Sequence, residues 1–174
     1  FLIFCVLVYF YFDKQNQKSK IITPEDEKYS SNIIKDVNYT SKDGNGNTYI
    51  IDASEGEIDL SNSSVIFLKN VKAIIKLDNK DKITITSKFG KYNIDNFDTI
   101  FSKDVIVIYL DNKIDSQYMD FSLRRNSMII SKNVVYTNTE NVLKADVIEL
   151  DIKTKDTKIF MHDTKKQINI KNLN

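Results

Sequence analysis

Residues 69–93 read KNVKAIIKLDNKDKITITSKFGKYN, and this stretch decides the fold. Val71, Ala73, Ile75 and Leu77 alternate with other residues, and after a break rich in Asn, Asp and Lys the alternation resumes at Ile83 and Ile85. Period-2 alternation marks a half-buried strand, because successive side chains point to opposite faces of a sheet. The parity then changes. Ile83, Ile85 and Ser87 fall on odd positions, whereas Gly90, Tyr92 and Ile94 fall on even ones. A strand that switches parity has bent, bulged or broken and turned its other face inward. Gly90 stands at the switch, where a missing Cβ permits tight geometry.

Working outward, the same pattern repeats. Lys-(Asp/Asn)-Val occurs at Lys35-Asp36-Val37, Lys69-Asn70-Val71, Lys103-Asp104-Val105 and Lys132-Asn133-Val134, at steps of 34, 34 and 29 residues. Each unit also switches parity: Tyr49, Ile51, Ala53 then Gly56, Ile58, Leu60; Ile114, Ser116, Tyr118 then Met119, Phe121, Leu123; Leu143, Ala145, Val147 then Ile148, Leu150, Ile152. Sustained helical periodicity is absent after the first residues. Four such units predict an all-β fold, a stacked antiparallel sheet that folds over itself into a β-jellyroll or similar sandwich. The competing architecture is a closed sandwich with no groove. An open stack leaves terminal strands able to pair with another molecule.

Residues 1–12 (FLIFCVLVYFYF) carry no charge but fall short of the roughly 20 residues a spanning helix needs. The sequence begins with Phe, and Tyr9 and Tyr11 precede Asp13 and Lys14 as at the interfacial end of a spanning helix. The expectation is the C-terminal part of one N-terminal transmembrane helix, rather than a cleaved signal peptide, since no small-x-small site follows. Residues 13–32 then form a polar tether and residues 33–174 the β domain.

Composition excludes several classes. A 174-residue chain with 28% charged residues suits one globular domain. Its net charge of +1 and interleaved signs give no footprint for nucleic acid. One cysteine, Cys5, and one histidine, His162, leave no disulfide framework and little zinc or acid–base chemistry. Nucleophile and phosphate-loop motifs are missing, so no enzyme activity, cofactor or metal is expected. Asp43-Gly44-Asn45-Gly46-Asn47 resembles the start of a calcium loop but has Thr48 and Ser54 where glycine and glutamate belong, and reads as a hairpin turn. Acidic pairs such as Asp95 and Asp98, or Asp146 and Asp151, read as solvated surface. Arg124-Arg125 and Lys165-Lys166 read as solvated loop residues, with lipid-headgroup phosphates as the alternative role.

Three stretches carry a resemblance. Lys82–Asn93 (KITITSKFGKYN), Phe101–Leu110 (FSKDVIVIYL) and Asn141–Leu150 (NVLKADVIEL), followed by a strand at Lys158–Met161, resemble the strand patterns of the lipopolysaccharide export family LptC. The periplasmic bridge protein LptA shares the repeat, and the N-terminal anchor favours LptC. The resemblance implies a single-pass inner-membrane protein whose periplasmic domain, an open, twisted antiparallel β-jellyroll built from repeated strand units, receives lipopolysaccharide from an inner-membrane ABC transporter complex. It would pass the lipid to an LptA-like bridge protein. The groove candidates it implies are Ile83, Ile85, Phe121, Leu123, Leu143, Ala145, Ile148, Leu150 and Ile152. Partner-pairing edges would be Ile34, Val37 and Tyr39 toward the transporter, with Ile159, Met161, Ile168 and Ile170 toward the bridge protein. An anchored envelope scaffold or protein-binding module without lipid transfer is the alternative.

Overall fold

The computed structural model describes residues 32–42, 46–77, 81–163, 165 and 167–173. The expected anchor and most of the tether lie outside the described residues. The strands are β1 (Ile33–Lys42), β2 (Thr48–Ile58), β3 (Val65–Lys76), β4 (Lys82–Asn93), β5 (Thr99–Tyr109), β6 (Asn112–Ser122), β7 (Ser127–Thr137), β8 (Asn141–Asp151), β9 (Thr157–Phe160) and β10 (Asn169–Asn172). They form one antiparallel sheet in the order β1 to β8, and β8 pairs β10 along its first half and β9 along its second. Among the described residues the order does not close on itself, so the open all-β architecture stands in place of the closed sandwich. Among the described residues, β1 has no partner strand on its outer edge.

The repeated tripeptide is a crease. Asp36 and Asn70 have φ values of 53° and 52°, and Lys103-Asp104 and Lys132-Asn133 are left-handed at both residues. Asn and Asp tolerate this region better than other residues with a Cβ, which accounts for the Asx in the motif. In β5 and β7 the second left-handed residue is an extra one, and the register with both neighbours shifts by a bulge. The Lys of the motif turns to the outer face and meets the preceding strand there. Lys69 pairs with Glu55 at 2.6 Å, Lys103 lies over the Phe89 ring and Lys132 over the Tyr118 ring. The Val points inward immediately after the break: Val71, Val105 and Val134 are all but fully buried. Polar side chains serve the interrupted ladder. Asn70 Nδ2 donates to Ser54 Oγ at 3.0 Å, and Gln117 Oε1 accepts from the Asp104 backbone N–H at 3.3 Å.

Folding along this crease places the first and second halves of each strand in two layers with a shared interior. Phe101, Val105, Met119 and Ile130 are buried to 1% exposure or less, which one uncovered layer could not achieve. Ring contacts cross between non-neighbouring strands: Tyr39 of β1 meets Tyr92 of β4 at 5.2 Å, and Tyr49 of β2 meets Phe121 of β6 at 6.4 Å.

Four details depart from the sequence reading. The left-handed bend sits in the odd-numbered strands and not at Gly56 or Gly90. Those glycines are needed for space: a Cβ would stand 2.9 Å from Val37 Cγ2 at Gly56 and 3.0 Å from Val71 Cγ2 at Gly90. Leu60 and Ile94 belong to exposed turns, because each strand has ended by then. Tyr118 faces outward beneath Lys132, and Val147 shares its side through the pairs Tyr118–Ser131 and Ser131–Val147. The last strands are also shorter or displaced, so Met161 follows β9 and Ile168 precedes β10.

Candidate functional site

The interior between the layers is apolar and widens into a mouth opposite the crease. Its deep part, lined by Tyr39, Tyr49, Ile85, Tyr92, Phe101 and Phe121, holds a void of only about 30 Å³. That volume admits a water or two and no acyl chain. Toward the turns the layers diverge. One opening of about 480 Å³ runs between Ile75, Leu77, Ile83 and Tyr109 on one layer and Phe121, Met128, Leu150 and Ile152 on the other. A second, of about 450 Å³, has Tyr49, Phe97 and Leu123 as its apolar floor and Lys42, Asp95 and Arg124 at its rim.

The groove candidates divide among these places. Ile83, Phe121, Leu150 and Ile152 line the larger opening, and Leu123 lines the second. Ile85 is 1% exposed and faces the void. Ala145 and Ile148 are buried, Leu143 is half-buried between Tyr136 and Ile170, and none of the three lines any of these cavities. Among the edge candidates, Val37, Tyr39 and Ile159 turn their side chains onto the core, whereas Ile34 and Ile170 are 45% and 64% exposed. The groove candidates left out Tyr49, Ile75, Tyr92, Phe101 and Met128, of which Tyr49, Ile75 and Tyr92 were already on the alternating apolar positions. Parity applied to every strand reaches all five. Phe97 lies in a turn, where no periodicity could have found it.

Tyr92 is the polar anomaly of the interior. It is 4% exposed, its ring packs on Tyr39, and its hydroxyl makes no hydrogen bond of good geometry. Burial, with the Tyr39 phenol beside it, pushes its ionisation well above the ordinary tyrosine value. The neutral phenol is therefore favoured by folding, and that contribution is full below the ordinary value of 10.0 and falls as pH rises beyond it. Tyr92→Phe should remove this loss: chemical denaturation at pH 9 and 11 should show a steeper decline for the parent than for the variant. Equal declines would place the alkaline sensitivity elsewhere.

Among the described residues no helix is long and apolar enough to cross a membrane, and no cluster of His, Cys, Asp and Glu is arranged to hold a metal ion. No curated protein matches the chain. The family model described as lipopolysaccharide-assembly, LptC-related matches residues 1–163. An open β-sheet folded over an apolar interior is thus joined to a family match over nearly the whole sequence, and the chain belongs to the LptC-related family of lipopolysaccharide-assembly proteins.

Proposed function

We propose that this protein receives lipopolysaccharide from an inner-membrane ABC transporter and passes it to a periplasmic LptA-like bridge protein through the space between its two layers. The N-terminal segment holds it in the inner membrane, and the β domain stands in the periplasm. The observation that carries this reading is the apolar mouth, continuous with a buried interior and bounded by a sheet whose ends stay open. Such a surface handles acyl chains without covalent chemistry, at about 0.8 kcal/mol for each methylene taken from water. Because the deep void is small, chains lie first in the mouth and pass inward only as the Tyr39–Tyr92 and Tyr49–Phe121 crossings part. A few buried methylenes offset that parting, since an aromatic pair contributes about 0.5–1.5 kcal/mol beyond its area. The exposed backbone edge of β1, and those of β9 and β10, are where neighbouring proteins add strands.

In-cell photocrosslinking tests it, with benzophenone probes at Phe121 and Leu150 and a control at Glu149, whose side chain lies on the outer face. Lipopolysaccharide adducts are expected at the first two positions, dependent on ATP hydrolysis, and not at Glu149. Equal labelling at all three, or none while the domain is folded, would leave a tethered scaffold in place of a lipid carrier.

A further inference from the structure

We infer that the rim of the mouth at Lys42, Phe97 and Arg124 is a subsite for the phosphate groups of an acylated glycolipid, an inference that rests on the lipid-carrier reading above. The adjacent arginines of the β6–β7 loop are separated by the structure into two roles. Arg125 is held on the sheet by Asp120 at 2.8 Å and Asp98 at 3.5 Å. Arg124 takes no part in those pairs and lines the second opening, where Lys42 arrives from the opposite layer at the end of β1. With Asp95 as the acidic member of that lining, one positive charge remains in excess. Guanidinium and ammonium groups above an apolar floor match an amphiphile whose phosphates stay wet while its chains go inward.

Phe97 supplies the independent observation. It has a φ of 62° and is 42% exposed, in a loop fixed by its backbone N–H donating to the Asn93 carbonyl at 2.9 Å. A bulky residue in the left-handed region is disfavoured. The corresponding left-handed places in the next two loops on that side are taken by Asn126 and Lys155. Folding alone therefore favours Asn or Gly at position 97. The aromatic side chain is instead held at the junction of the deep void and the basic rim, since it lines both. A ring at that point contacts the first methylenes below a headgroup.

The test is binding of lipid A and of its dephosphorylated form to the detergent-solubilised full chain, with inorganic phosphate as competitor. The double variant Lys42→Gln/Arg124→Gln should lose at least about tenfold affinity for lipid A and little for the dephosphorylated form, as expected when two solvent-exposed charge-assisted contacts are removed. A charge-matched control on the outer sheet, Lys72→Gln/Lys76→Gln, should bind like the parent. Phe97→Asn should melt no lower than the parent yet bind both lipids more weakly. Equal losses on both lipids in the double variant, or no loss on lipid A, would overturn the subsite while leaving the groove. Binding of inorganic phosphate that the double variant abolishes while its affinity for lipid A stays unchanged would overturn it too, showing an ion site unconnected to lipid. Absence of binding by the parent to either lipid, together with no adduct at Phe121, would overturn the carrier reading itself.

Discussion

Phe101→Ala is expected to destabilise the domain by about 3–5 kcal/mol, the cost of emptying a well-packed aromatic site. Phe101 is 1% exposed, belongs to a central strand and faces the interior just before the crease. Its position also records what the bulge does. Counting one unit from Leu68 leads to Ser102, but the extra residue in β5 moves the inward place back to Phe101. The neighbouring void is too small to indicate slack, so collapse around an alanine would recover little. Phe67→Ala is the matched comparison: its ring is 43% exposed on the outer face with Lys91 above it, and its loss should cost about 1 kcal/mol. Urea denaturation of both variants checks the pair. Similar costs at the two sites would mean that the layers do not cover one another as described.

Gly90→Val should be a strongly disruptive small-to-large change. The added Cβ alone would lie 3.0 Å from Val71 Cγ2 and 3.4 Å from Leu68 Cβ, and both neighbours are 2% exposed and cannot withdraw. Overpacking of this kind costs about 1–3 kcal/mol, and the γ-methyl groups push it to the upper end. The third and fourth units carry Met119 and Ile148 where the first two carry Gly56 and Gly90. The layers are therefore packed backbone-close in one half of the interior and spaced by side chains in the other. Gly90→Val forces the close half apart, and a lower denaturation midpoint with raised binding of an apolar dye would report it. A variant as stable as the parent, with no added dye binding, would show that β3 and β4 are free to shift.

Much of this architecture was legible in the residues. Alternation located the strands, and the Lys-Asx-Val repeat marked the line along which β1, β3, β5 and β7 bend. The spacing of 29 instead of 34 residues in the last unit reflects shorter connections, such as the two-residue turn at Leu110-Asp111. The groove candidates came from the even-numbered strands alone, so residues such as Ile75, Phe101 and Met128 were missed although they obey the same rule. Tyr118 was misassigned because the switch falls between Ser116 and Tyr118, one alternate position earlier than the apolar pattern placed it. The edge candidates were chosen as side chains, but pairing at an open edge uses backbone groups, and Val37 and Tyr39 spend their side chains on the core.

By itself the sequence determined which residues share a face within a strand and where that face changes, because these follow from a period of two. Only the tertiary structure decided which strands lie across the interior from one another. That put Tyr39 on Tyr92 and Tyr49 on Phe121, closed the deep interior to about 30 Å³, and set Arg124 at the mouth while Arg125 was tied to the sheet. The physical reason is that alternation is a local steric property of the extended chain, whereas contact between layers depends on the angle at the crease, and that angle is fixed by one left-handed residue in β1 and β3, two in β5 and β7, and the volume packed between the layers.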